Sequence, residues 1–230
     1  MLKLLMIQAD MPTALDTLAT EPEGISTKFI DLAIKGGWIM IPIIALSIIA
    51  VYIFFERYFA IMKAGKFHSG LLEKIKVSIT TAKIDAAIAL CRSNTTPAAR
   101  MLEKGISRIG RPLTDVNTAI ENVGNLEISK LEKGLPTLAS VAGGAPMIGF
   151  LGTVMGMIQA FYDMSAAGNN IDVTLLSTGI YQAMVTTVAG LIVGIIAYFA
   201  YNILVANVEK VVFKMEATTS EFMDLLNEPV

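Results

Sequence analysis

The stretch STGIYQAMVTTVAGLIVG, residues 177–194, carries Ser177, Thr178, Tyr181, Gln182, Thr186 and Thr187, with Gly190 and Gly194 below them and no acid or base. Hydroxyls and amides both donate and accept hydrogen bonds, so this set can solvate a cation, a carboxylate or a proton-bearing group. None of these groups titrates near neutral pH, so none can take up and release a proton on its own. Thr153, in GFLGTVMGMIQAF (149–161), is a further hydroxyl in an apolar setting. The rest of the chain offers little for catalysis. Cys91 is the single cysteine, which rules out an internal disulfide or a thiolate cluster. His68 is the single histidine and reads as a solvated loop residue. No nucleophile–base pair, metal cluster or phosphate loop is visible, so no enzyme, metal or cofactor is expected. A net charge of −2 gives no reason to expect a nucleic acid partner.

The elements that must position these groups follow from composition. Apolar residues make up 54% of the 230 and charged residues 17%, against about a quarter charged in a typical soluble domain. Three runs are free of charge: Gly36–Phe55 (20 residues), Gly134–Tyr162 (29) and Val173–Val208 (36). About 20 apolar residues cross a bilayer core as a helix, so the chain reads as an all-α integral membrane protein with three spans. Between Arg57 and Lys133 lie thirteen Lys and Arg, whereas DMSAAGNNID (163–172) has none. Basic loops stay in the cytoplasm. The expected order is an extracytoplasmic N-terminus (1–35), a first span (36–60), a cytoplasmic helical segment (61–133), a second span (134–162), a periplasmic turn (163–172), a third span (173–208) and a cytoplasmic tail (209–230).

Within 61–133, LLEKIKVSI, KIDAAIALC, PAARMLEKGISRI and VNTAIENVGNLEISKLEKG repeat apolar residues at helical spacing, and Pro97 suits a first helical position. Before the first span, STKFIDLAIKGG (26–37) has Phe29, Ile30, Ala33 and Ile34 opposite Lys28, Asp31 and Lys35. It reads as an interfacial helix on the outer leaflet, in contact with membrane lipids and followed by Trp38 at headgroup level. MLKLLMIQAD at the start has an apolar core too short for a signal peptide and is read as retained.

Runs of 29 and 36 residues make helices of about 44 and 54 Å. With their upper ends pinned by the turn at 163–172, the surplus is expected to project into the cytoplasm, Gly134–Ala142 and Ile196–Val208 packing there against other copies. Small residues recur four apart at Ser140/Gly144, Ala145/Gly149, Gly152/Gly156, Gly179/Ala183/Thr187 and Gly190/Gly194. That pattern serves close helix packing in lipid, or a pore. Counted from the turn, Thr153, Gln182, Thr186 and Thr187 fall about 15–22 Å deep, near mid-bilayer. Hydroxyls bonding back one turn would account for Thr153 alone; a hydrated lumen shared among subunits accounts for the whole cluster. Such a lumen has no titratable group of its own, so either it is a passive packing surface or another polypeptide lends the acid.

GGWIMIPIIALSIIAVYIFFER (36–57), GFLGTVMGMIQAF (149–161) and STGIYQAMVTTVAGLIVGIIAYFAYN (177–202) together resemble the MotA/TolQ/ExbB proton-channel family, most of all its ExbB branch. The likeness extends from about residue 26 to 208. It implies a homo-oligomeric, pentameric ring in the inner membrane of diderm bacteria. The second and third spans would line a pore around a dimer of single-span ExbD-type helices whose aspartate carries the proton, and a TonB-type protein would pass the energy to outer-membrane transport. Thr153 and Thr187 then fall on the family's pore-facing threonines, with Thr178, Gln182 and Thr186 along the same pathway and Gly149, Gly152, Gly156, Gly190 and Gly194 packing the helices. One departure is specific: ExbB and TolQ members commonly carry glutamate where this chain has Gln182. An amide cannot titrate, so the whole proton load passes to the partner, or another cation is coupled. A TolQ-like subunit of another envelope machine and a scaffold without conduction are the alternatives; a transporter or membrane enzyme ranks last.

Overall fold

A computed structural model describes residues 36–66, 69–166 and 173–227. Among these residues the chain forms seven helices: α1 (Met40–Ala64), α2 (Ser69–Thr80), α3 (Ile84–Arg92), α4 (Pro97–Ile106), α5 (Leu113–Glu132), α6 (Leu135–Ala166) and α7 (Val173–Asn227). Three of them, α1, α6 and α7, are long and apolar enough to cross a membrane. The amphipathic segment at 26–35, His68 and most of the turn at 163–172 lie outside the described residues.

Local chemistry sets the helix limits. The chain enters α1 through a turn at Gly36–Ile39, where Gly37 has φ +71°, a region that side chains with a Cβ avoid. Pro42 sits in the first turn of α1, where the N–H it lacks would have no helical partner. Helix α4 starts at Pro97, at the position its spacing predicts. Gly134, with φ +87°, separates α5 from α6.

Helices α2 to α5 and the far half of α7 form one bundle. Its centre is Ile75, Cys91, Leu102, Ile106, Val116, Ile120 and Phe222, all 1% exposed or less. Phe222 belongs to the stretch expected as a tail. It is instead part of α7, which runs unbroken for 55 residues, about 80 Å, and closes the bundle with Val211, Met215 and Phe222. Continued apolar spacing beyond Glu209 explains this; the first charges mark a change of surroundings, not the end of the helix.

The register of the spans sets the helices at definite levels relative to one another. α1 and α7 run side by side in the same direction, with Gly37 level with Gln182 and Gly65 against Val211. Ile39, Met40 and Ile43 pack on Ile148, Ala189 and Val193. Gly134, at the start of α6, lies against Ile53 and Arg57. Arg57 donates from Nη1 to the Lys130 carbonyl at 3.2 Å, at the C-terminus of α5 where a cation is favoured. The charge-free part of α1 therefore ends level with the lower end of α6. The surplus of α6 lies at the opposite end, beyond the start of α1, where α7 too extends for nine residues (173–181), about 14 Å. The α6–α7 hairpin thus extends beyond the start of α1.

Candidate functional site

The hairpin of α6 and α7 is built on small residues. Gly149 lies against the Thr186 carbonyl, Thr187 and Gly190. Gly156 meets Ala183 and Gly179, Gly179 meets Ala160, and Gly190 meets the Ala145 carbonyl. A Cβ on Gly190 would lie 2.5 Å from that carbonyl oxygen and 3.0 Å from Gly149 Cα, so backbone touches backbone. Gly194 receives the ring of Pro146, whose missing N–H interrupts the α6 ladder opposite it. Gly152 faces Thr186 and Ile39. These six glycines thus make contacts within one protomer. Gly143 and Gly144 have nothing within 4 Å opposite them among the described residues.

The polar groups fall into two sets along this seam. Thr187 is half-buried and donates across the helix pair to the Gly149 carbonyl at 2.9 Å. Thr186 is 1% exposed; it donates to the Ala183 carbonyl at 2.8 Å and lies 3.4 Å from the same Gly149 oxygen. Thr153, half-buried one turn from Gly149, donates to the Phe150 carbonyl at 2.6 Å. Thr178 is exposed and donates to the Thr174 carbonyl at 2.8 Å. Bonding back one turn, which the sequence assigned to Thr153 alone, holds for Thr153, Thr178 and Thr186. Thr187 makes the short bond to the other helix, and Thr186 reaches the same Gly149 oxygen more weakly at 3.4 Å.

This arrangement has a chemical consequence. Each hydroxyl proton is directed at a backbone carbonyl, and the oxygen lone pairs are what it has left to offer. Without breaking those bonds, Thr153 and Thr187 present acceptors. They can receive a hydrogen bond from a protonated acid or water, or coordinate a cation. Thr186 has little exposed surface of its own, being packed between α6 and α7 beside Ile39.

Gln182 sits apart from Thr187, on the side of the hairpin that faces the start of α1; a Cβ on Gly37 would collide with its amide. It lines a cavity of about 310 Å³ with Gly36, Trp38, Thr178, Thr186 and two residues that sequence patterns did not single out, Gln159 and Asp163. Gln159 Nε2 donates to Asp163 Oδ1 at 2.8 Å, an i, i+4 pair. Their spacing was a usable signal, hidden because Asp163 closes the charge-free run and reads as turn.

The fold and seam together define an all-helical membrane protein with an uncharged, hydroxyl-lined helix pair on a charged bundle. Residues 93–217, more than half of the chain, match the MotA/TolQ/ExbB proton channel family, and the chain belongs to it. An ExbB-like biopolymer transport protein of Synechocystis sp. is 29% identical, covering 78% of this chain and 71% of that protein. The Tol-Pal system protein TolQ of Pseudomonas aeruginosa is 25% identical over 84% of this chain and 87% of its own length. The biopolymer transport protein ExbB of Xanthomonas campestris pv. campestris is 33% identical, over 47% of this chain and 43% of its own.

Proposed function

We propose that this chain is the ring-forming subunit of a proton-motive-force-driven motor in the inner membrane, with the N-terminus outside and the C-terminus in the cytoplasm. Copies of the α6–α7 hairpin, five by family likeness, surround a pore that holds a dimer of single-span ExbD-type helices. The partner's carboxylate carries the proton; Thr153 and Thr187 accept hydrogen bonds from its protonated form or from water beside it. A TonB-type protein delivers the work to outer-membrane transport. One charge falling through 100 mV supplies about 2.3 kcal/mol, enough for a few charges to disrupt a modest protein contact.

The observation that carries this reading is the absence of any Asp, Glu, His, Lys or Arg from Gly134–Tyr162 and Val173–Val208, in helices that nonetheless hold a polar seam. A relay needs a titratable group, so the acid comes from elsewhere. The near full-length match to TolQ supports a second reading, in which the same ring serves a Tol-Pal-type envelope machine. The test is proton flux in proteoliposomes of the assembled complex. Thr187→Val, which keeps shape but removes the hydroxyl, is expected to lower flux at least tenfold, about 1.4 kcal/mol in barrier, with the ring intact. Unchanged flux rejects the pore role of Thr187.

A further inference from the structure

Building on the ion-pathway reading above, we propose that each protomer contains its own hydrated vestibule, the cavity between the start of α1 and the upper parts of α6 and α7, which admits water and a monovalent cation to the threonine seam.

Four features of its wall support this. First, the Gln182 amide lines the cavity and has no hydrogen-bond partner among the described residues. The cavity of about 310 Å³ beside that amide has room for several waters to hydrogen-bond it. Second, Asp163 is the only charged residue among the described residues of the wall, and no Lys or Arg faces it there. Gln159 holds one of its oxygens and fixes the carboxylate at the rim. A cleft with one sign of charge between low-dielectric walls concentrates the opposite ion, so cations enter and anions are turned away.

Third, the floor of the cavity meets the seam. Thr186 lines the cavity, and its hydroxyl oxygen approaches the Gly149 carbonyl at 3.4 Å. That same carbonyl accepts from Thr187 at 2.9 Å. One backbone oxygen thus stands between the vestibule and the half-buried threonine next to it. Fourth, Gly37 packs on the Gln182 amide beside the cavity with φ +71°, a backbone conformation that only glycine takes readily, so the chain at this edge cannot carry a side chain without strain. A lipid tail is a poor occupant, because a carboxylate, two carboxamides and two hydroxyls line the space.

The test uses the assembled complex in a Cys91→Ser background, which removes the single native thiol. Gln182→Cys, Met155→Cys on the same wall and Ile48→Cys on the exposed apolar face of α1 are each treated from outside with a trimethylammonium methanethiosulfonate. Gln182→Cys and Met155→Cys are expected to react, and Ile48→Cys to stay unmodified. The cationic reagent is expected to react with Gln182→Cys about tenfold faster than a sulfonate reagent of equal size, and Asp163→Asn to abolish that preference. Modification of Met155→Cys is expected to stop proton flux. If Gln182→Cys does not assemble, Thr178→Cys, one turn outward, takes its place.

A Gln182→Cys thiol as inert as Ile48→Cys means a dry cavity and overturns the proposal. Modification of Met155→Cys with undiminished flux means a wet cavity off the ion's route and overturns it equally. If Thr187→Val conducts normally while modified Met155→Cys does not, the threonine reading fails and the vestibule stands.

Discussion

Glu127 shows how much one side chain can decide. Its carboxylate is 4% exposed and paired with Arg100 at 2.7 Å and with Lys130 at 2.7 Å. Both cations keep much of their surface in water; the burial cost falls on the acid. Removing the acid therefore costs little, whereas removing one cation leaves the buried carboxylate with a single partner and one oxygen unpaired. Arg100→Met is expected to destabilise the bundle by about 1–2 kcal/mol, because Lys130 still pairs with Glu127, and Glu127→Met by less than about 1 kcal/mol, read by thermal unfolding in detergent. The reverse order would show that the carboxylate is better solvated than its burial indicates. Cys91 is the second case. Burial in the bundle, with a smaller contribution from Glu103, raises its thiol to about 11. Maleimide at neutral pH is expected to modify it only after unfolding. The folded state holds the neutral thiol, while the unfolded chain ionises near the ordinary 9.0. Its contribution to stability is therefore complete below pH 9 and lost as the pH rises from about 9 to about 11. A Cys91→Ala variant should lack that alkaline component.

At the scale of elements, the α6–α7 hairpin is the stiffest joint between spans, because its contact is backbone on backbone. Gly190→Leu would need the helices to separate at the level of the threonines, which destroys the Thr187–Gly149 hydrogen bond as well. Its expected effect is loss of the assembled complex on native gels, an overpacking cost of about 3 kcal/mol or more. Gly144→Ala meets nothing within 4 Å among the described residues and is expected to leave the fold of the protomer unchanged, as read by its thermal unfolding. The sequence makes the spans, the glycine pairs and the bundle helices readable, since each leaves a local period or a run of fixed composition. The partner of each glycine was not readable: Gly37 against Gln182 joins positions far apart in the chain, which no spacing encodes. Nor was the division of the polar cluster into a seam and a cavity wall. Thr186 and Thr187 are neighbours in sequence, yet a turn of about 100° per residue sends them to different surroundings.

For the whole molecule, depth was the quantity least accessible from sequence. Charge marks where a run ends but not which helix defines the membrane level, and the offset of α1 against the hairpin emerges only from long-range packing. The same packing joins spans and bundle into one body, because α7 contributes to both. From Ile195 to Asn227 that helix contains neither glycine nor proline, and so has no point at which it would bend easily. A rotation of this helix at Ile195 would be carried toward Phe222, so a movement at the lower end of the α6–α7 seam would be geared to the far end of the protein. One alanine inserted after Asn207 would rotate Phe222 by about 100° away from Leu102 and Ile120, whereas seven, close to two full turns, would nearly restore the phase. Retained bundle stability after the single insertion would show that the helix slips.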